Sequence, residues 1–165
     1  MKIINEANEK FKDKQDEICD FLFGFLRKLN ALEKEVFERG QELERKKEEI
    51  GIPKSQIAPG KTALFDEFEE RLDELTEDYV TDKLFERGYS NSFGNPQKYS
   101  YIDGECTINF IMKTAKKAVV ETHFSRGVDE KHKFVIKNVD GEWLVDEVYY
   151  GFEDEPDKWN SDDII

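Results

Sequence analysis

The residues best suited to acid–base chemistry are Glu121 and His123. They are two positions apart on a predicted strand, so they project from one face, where the carboxylate could orient the imidazole. A sheet could bring Asp103, Glu105 and Asp146 near this pair. If the alternate apolar residues of the same strand point to the core, Glu121 and His123 point outward, where polar residues are the ordinary pattern. The spacing therefore favours a solvated or partner-facing surface over catalysis.

Other patterns of reactive residues are missing from the sequence. Neither histidine, His123 or His132, has a cysteine or histidine neighbour at metal-ligand spacing. The acidic segment 153–157 lacks the alternation and central glycine of a calcium loop, and no phosphate-binding loop or nucleophile elbow occurs. Cys19 and Cys106 are far apart, which indicates two reduced thiols in the cytosol. We predict no metal, no cofactor and no enzymatic activity.

The charge distribution points to a basic partner. With 25 basic and 38 acidic residues the net charge is -13. Two stretches carry it: 66–82 has nine acidic residues against Arg71, and 146–165 has eight against Lys158. An acidic chain lacks the field that attracts phosphate backbones or anionic lipid, so we predict neither nucleic-acid nor membrane binding. A basic protein would be attracted instead.

Residues 1–88 have the periodicity of helices. One apolar stripe recurs at steps of three, four or seven residues, which predicts an amphipathic helix. The stripe consists of Ile4, Ala7, Phe11, Ile18, Leu22, Phe25 and Leu29. A cap at Asn30 would begin a second helix over 31–50, or one helix runs straight through Asn30. Pro53 and Pro59 mark a loop over 51–60, and a further helix is predicted from Lys61 to a stop at Gly88.

Residues 97–150 have the period of two that is typical of half-buried strands. After a connector over 89–97, four strands are predicted over 106–113, 118–124, 131–139 and 142–150, with a short edge strand at 98–102. Asp140 and Gly141 have the composition of a tight hairpin turn. In the last strand we expect Trp143 and Val145 on one face, with Leu144 and Val148 on the other.

This order of elements predicts an α+β fold in which N-terminal helices pack on one face of a curved antiparallel sheet. A length of 165 residues indicates one domain over 1–165. About 1–88 would be helical and 97–150 would form the sheet. Because Trp159 and two terminal isoleucines punctuate the acidic tail 151–165, we expect the tail to dock on the body. No apolar run has the length of a signal or transmembrane segment, which predicts a cytoplasmic protein.

Several segments resemble the nuclear transport factor 2 fold immunity proteins of bacterial polymorphic toxin systems. The likeness extends over most of 18–165 apart from 48–78. It is carried by Phe21 to Lys34, Phe93 to Tyr101, Val120 to Phe124, His132 to Ile136, Gly141 to Val145, Tyr150 to Phe152, and Trp159. The resemblance implies a cone-shaped α+β domain that binds and neutralises a toxin encoded beside it. The family has no catalytic motif to carry over.

The function expected from this sequence is therefore binding of a cognate toxin domain, for example a basic nuclease. The candidate partner-binding residues are Glu69, Glu70, Asp73, Glu77, Asp146, Glu153, Asp154, Glu155 and Asp157. One alternative is an isomerase or dehydratase that uses Glu121, His123 or Asp146 in a conical pocket. Another is a homodimer that buries the open face of the sheet.

Overall fold

The helices and strands follow the predicted order, with an added short strand near each end of the chain. A computed structural model describes residues 1–88 and 93–165 of the chain. Its strands and α-helices, in chain order, are β1 (Lys2–Asn5), α1 (Gln15–Glu49), α2 (Lys61–Glu77), α3 (Asp82–Arg87), β2 (Cys106–Thr114), β3 (Lys117–Ser125), β4 (Asp129–Val139), β5 (Glu142–Phe152) and β6 (Asn160–Asp162). The expected α+β fold is confirmed.

The six strands form one sheet in sequential order, β1 to β6. The pair β1–β2 is parallel, and the four pairs from β2–β3 to β5–β6 are antiparallel. The core lies between α1, α2 and one face of the sheet, which we call the inner face. Phe110, Val120 and Phe134 represent β2, β3 and β4 in this core, and each is fully buried.

The first predicted helix does not extend to the N-terminus. Ile4 belongs to β1, and Phe11 lies in a 3-10 helix, Glu9–Lys14, that precedes α1. The β-branched pair Ile3 and Ile4 fits a pleated strand, and Ile3 pairs with Ile108 of β2. The prediction that the stripe begins at Ile4 is therefore wrong, because a tertiary strand pairing overrides the local helical spacing.

Helix α1 runs straight through Asn30, as one of the two alternatives predicted. The side chain of Asn30, which suggested a cap, binds a distant loop instead, and so does that of Glu33 one turn later. Oδ1 of Asn30 accepts a hydrogen bond from the backbone N–H of Tyr99 at 3.2 Å. The buried carboxylate of Glu33 accepts from the N–H groups of Gly94 and Lys98 at 2.9 and 3.1 Å. These bonds hold the segment 94–99 against α1.

The helix predicted from Lys61 to Gly88 is interrupted between α2 and α3. Tyr79 and Thr81 exchange backbone hydrogen bonds with Val145 of β5, at 2.8 and 2.9 Å. Thr81 then caps α3, because its hydroxyl accepts from the N–H of Leu84. The stop at Gly88 is confirmed, and its φ of 83° suits glycine. The start of the predicted connector, 89–92, lies outside the described residues.

Two details of the sheet differ from the sequence pattern. Residues 98–102 form no edge strand, because Ser100–Asp103 is a 3-10 helix. In β5 a bulge changes the register from Ile136–Val145 to Val135–Glu147. Val145 and Val148 consequently both face the core, so the expected placement of Val148 opposite to Val145 is wrong. The predicted turn is confirmed, with φ of 53° at Asp140 and 89° at Gly141.

Candidate functional site

The Glu121–His123 pair lies on the outer face of the sheet, away from the helices. Val120, Thr122 and Phe124 are buried on the inner face, so the alternation of β3 turns the pair outward. Both side chains are half-buried. An enzyme that used this pair inside a conical pocket would require the opposite orientation.

The imidazole of His123 lies between two carboxylates. Its Nδ1 hydrogen-bonds to Oε1 of Glu153, and its Nε2 is 3.8 Å from Oε2 of Glu121. These carboxylates, Glu121 first, raise the pKa of His123 above its ordinary value although burial opposes the shift. The contact between His123 and Glu153 joins β3 to the segment that follows β5.

Residues 153–159 fold back over the outer face of the sheet, and we call this segment the tail clasp. Lys131 of β4 is buried beneath it. The Nζ of Lys131 donates to the carbonyl oxygens of Glu155 and Pro156, at 3.2 and 2.6 Å. The ring centroid of Trp159 is 4.3 Å from the same Nζ, which is within cation–π distance. The tail clasp is thus fixed by a buried cation.

Gly151 lets the tail clasp lie directly on the sheet. A Cβ at this position would be 2.7 Å from the carbonyl oxygen of Lys158 and 2.8 Å from Cε of Lys131. Gly151 pairs with Lys131 in the ladder between β4 and β5. A larger residue would therefore have to displace either the tail clasp or the buried lysine.

Asp146 is a poor candidate for partner contact, because it is buried in the β5 bulge. Its carboxylate is within 2.8 Å of the Nζ of Lys137 and 3.1 Å of the Nζ of Lys83, and it accepts from the hydroxyl of Thr81. Burial alone would raise the pKa of Asp146, but these hydrogen bonds, Lys137 first, hold it below its ordinary value. The charge of Asp146 is satisfied inside the protein and ties α3 to the sheet.

The other candidates on α2 remain at the surface. Glu69, Glu70 and Glu77 are exposed, and Asp73 is half-buried. The acidic residue of α2 nearest to α1 is different, since Glu67 forms an ion pair with Arg39 of α1. The outward acidic face of α2 consequently excludes Glu67 and keeps the four predicted positions.

The tail clasp carries its carboxylates toward solvent. Asp154, Glu155 and Asp157 are exposed, whereas Glu153 is held by His123. A cleft brings Glu153, Asp154 and Glu155 together with Asp129 at the start of β4. The structure therefore groups three predicted residues in one place and puts those of α2 on a separate element.

A buried polar network inside the cone was not expected from the sequence. The hydroxyl of Tyr101 is 2.9 Å from Oγ1 of Thr122 and 2.8 Å from Nδ1 of His132. Burial lowers the pKa of His132 to about 3, so the ring is neutral. The available signal was the alternation of β4, which puts His132 on the same face as Phe134.

Aromatic and aliphatic side chains fill the inner face around this network. Tyr101 stacks on Phe124 with 3.6 Å between ring centroids, and Tyr99 is fully buried. The chain end returns to the same region, where Ile164 and Ile165 are buried and the hydroxyl of Tyr99 donates to the carbonyl oxygen of Ile164. These side chains pack on the inner face, where the enzyme alternative would place its conical pocket.

The structure also bears on metal binding, membrane crossing and the reactivity of the two cysteines. Within 1–88 and 93–165, no three His, Cys, Asp or Glu side chains converge in the manner of metal ligands. In the same ranges, each helix is too short or too polar to cross a membrane. Cys19 and Cys106 are free and buried, and burial raises the pKa of the Cys19 thiol to about 12.

Comparison with known proteins gave no match to a family model, a curated protein or a solved structure.

Proposed function

We propose that this protein is an immunity-type binding protein that neutralises a basic toxin domain by occupying its working surface. The proposal joins the resemblance noted in the sequence to one structural observation, the fixed acidic tail clasp. Binding would be stoichiometric, and no bond would be made or broken by the side chains of this chain.

The tail clasp supports the proposal because its charges are held in place before any partner arrives. Lys131 and Trp159 fix the backbone of the segment, and Asp154, Glu155 and Asp157 point into solvent. A preorganised surface loses less conformational entropy on binding than a mobile acidic tail does. It also keeps a constant field for an approaching basic protein.

The charges of α2 support the same interpretation. Glu74, Glu77 and Asp78 are exposed at the C-terminal end of this helix, and its last turn has no basic residue. Negative charge at a helix C-terminus opposes the macrodipole and costs about 0.3–1 kcal/mol per group. The negative charge at this helix end adds to the field that the tail clasp presents to a basic partner.

The enzyme alternative gains no support from a specific contact. Glu121 and His123 face outward, and Asp146 is paired with two lysines. His132 faces inward, but burial keeps it neutral and its Nδ1 is engaged by Tyr101.

The test is co-expression with the small domain encoded by the adjacent reading frame. We expect the purified protein to bind that domain and to restore growth of cells that express it. Reversing the tail clasp charges with D154K, E155K and D157K should reduce the association rate about tenfold at low salt and much less at high salt.

A matched control changes the net charge equally on α1, with D20K, E38K and E48K at exposed positions. This control should retain most of the association rate. Absence of binding and of rescue would overturn the proposed function. If both triple variants reduce the association rate equally, the tail clasp is not the surface that attracts the partner.

A further inference from the structure

Two aromatic side chains are exposed beside the acidic cleft. Tyr150 and Phe152 of β5 are 39% and 40% exposed, and their rings form an edge-to-face pair with 6.5 Å between centroids. Val128, in the turn before β4, is 55% exposed. The two rings contact each other, so they form one apolar patch rather than two isolated exposed side chains.

The position of the aromatic pair explains its exposure. Along β5, Val148, Tyr150 and Phe152 alternate onto the inner face, and Val148 is buried in the core. The opposite residues on β4 are Phe134, His132 and Glu130, and burial ends at His132. The sheet thus extends past the side chains that cover its inner face, and the aromatic pair lies on that extension.

The cleft lies where β4 begins and β5 ends, has a volume of about 340 Å³ and combines apolar with acidic walls. Its lining consists of Val128, Asp129, Phe152, Glu153, Asp154 and Glu155. Two of the carboxylates have partners, since Glu153 bonds to His123 and Glu155 is 3.4 Å from the Nζ of Lys158.

The other two carboxylates of the cleft, Asp129 and Asp154, form no ion pair within the part of the chain that the structure describes. Their negative charge is therefore not neutralised by a direct ion pair. An apolar wall beside unpaired carboxylates is complementary to a side chain with an aliphatic stem and a cationic head.

We infer that this cleft receives an arginine or lysine side chain from a loop of the partner protein. The aliphatic stem would lie against Phe152 and Val128, and the cationic head would face Asp129 and Asp154. Tyr150 would extend the contact beside the cleft, as aromatic residues do at the centres of interfaces. This inference rests on the proposed function and names the contact point within it.

Charge selects a protein loop over the other possible occupants. Nucleic acid and anionic lipid would meet four carboxylates. A purely apolar segment would leave Asp129 and Asp154 desolvated without a partner. A cationic side chain satisfies both walls of the cleft, because its stem covers the apolar wall and its head pairs with the carboxylates.

The first test uses a small probe and needs no toxin. Acetyl-Arg-Gly-Arg-amide is titrated into the protein and followed by amide and aromatic NMR, with the citrulline analogue as an uncharged control of equal size. We expect saturable shifts that are largest at Val128, Asp129 and Phe152, and at least fivefold weaker binding of the citrulline peptide. Shifts spread evenly over all acidic surfaces, or no shifts, would overturn the inference.

The second test uses the partner domain from the co-expression experiment. F152S and the double variant D129N/D154N should each lower its affinity at least tenfold. F85S is the matched control, because Phe85 of α3 is 38% exposed and distant in sequence from the cleft; its effect should stay below twofold. All variants are first compared with the wild type by thermal unfolding.

The outcomes separate the inference from the proposed function. Tight binding of the partner that is unchanged in F152S and D129N/D154N would overturn the cleft and leave the immunity function standing. If the wild type itself does not bind the partner domain, the proposed function is overturned. Peptide binding at the cleft without any toxin binding would keep the cationic site and remove its proposed role.

Discussion

His123 and His132 are the two histidines of the chain, and their environments shift their pKa values in opposite directions. Two carboxylates raise the pKa of His123, whereas burial lowers that of His132 to about 3. An NMR titration from pH 5 to 9 should therefore show one imidazole with a midpoint above about 6.5 and one that does not titrate. Two ordinary titrations would contradict the buried network around Tyr101.

The raised pKa of His123 predicts that the stability of the protein depends on pH. The folded-state pKa of His123 is raised, so its contribution is complete below the unfolded value of about 6.5 and is lost as the pH rises through the folded value. Urea unfolding of the wild type and H123Q should differ most at pH 5.5 and converge toward pH 9. Because His123 is partly exposed, we expect a difference below about 1 kcal/mol.

His132 changes the stability in the opposite direction: its contribution falls as the pH falls. Because the folded pKa of His132 is lowered, the unfolded chain binds a proton first as the pH falls below about 6.5, and this disfavours the folded state. H123Q should retain this acid destabilisation, since His132 is intact. A loss of both slopes in H123Q would show that the two rings are not independent.

At the scale of elements, two glycines make a matched pair. A Cβ at Gly151 would be 2.7 Å from the carbonyl oxygen of Lys158, whereas a Cβ at Gly24 of α1 has no atom within 4 Å. G151A should lower the free energy of unfolding by about 1–3 kcal/mol through overpacking. G24A should raise it by about 1 kcal/mol through helix propensity. Chemical denaturation measures both, and Trp159 fluorescence reports whether the tail clasp has moved.

Helix α2 offers a second comparison at this scale. Glu77 is in its last turn and Glu70 in its middle, and both are exposed. E77Q removes a charge that opposes the macrodipole, whereas E70Q removes one that does not, so E77Q should be the more stable variant by about 0.3–1 kcal/mol. Equal stability in thermal unfolding would contradict the cost assigned to the acidic helix end.

Elements with an uninterrupted local pattern were predictable from the sequence. The four long strands follow alternation, and the turn at Asp140 follows its own turn chemistry. The errors occur where a distant partner decides. Ile4 is a strand residue because β2 is beside it, α2 ends because Tyr79 bonds to Val145, and the face of Val148 depends on a bulge. Local periodicity contains no information on these three contacts.

At the scale of the whole molecule, the sequence located the acidic segments but not their arrangement. Composition identified the charges of α2 and the tail. It could not reveal that Lys131 is buried beneath the tail clasp, that Asp146 is neutralised by Lys137, or that Tyr150 and Phe152 are left exposed. Each depends on which strand lies beside which, and that follows from the sheet order.

The strongest prediction at this scale concerns cooperativity. One core cluster contains residues of α1, α2, every strand from β2 to β5, and the terminal Ile164 and Ile165. We therefore expect one cooperative unfolding transition. Far-UV circular dichroism follows the helices, while the fluorescence of Trp143 and Trp159 follows the sheet and the tail clasp. The two signals should give coincident urea midpoints.

A single substitution at the chain end sharpens this test. Ile164 is 2% exposed, so I164A should cost about 2–5 kcal/mol. I57A, at a residue that is 71% exposed, should cost less than about 0.5 kcal/mol. If the end of the chain joins the helical layer to the sheet, I164A will lower both midpoints together. A fluorescence midpoint that falls while the helical midpoint stays would show that the sheet and the helices unfold separately.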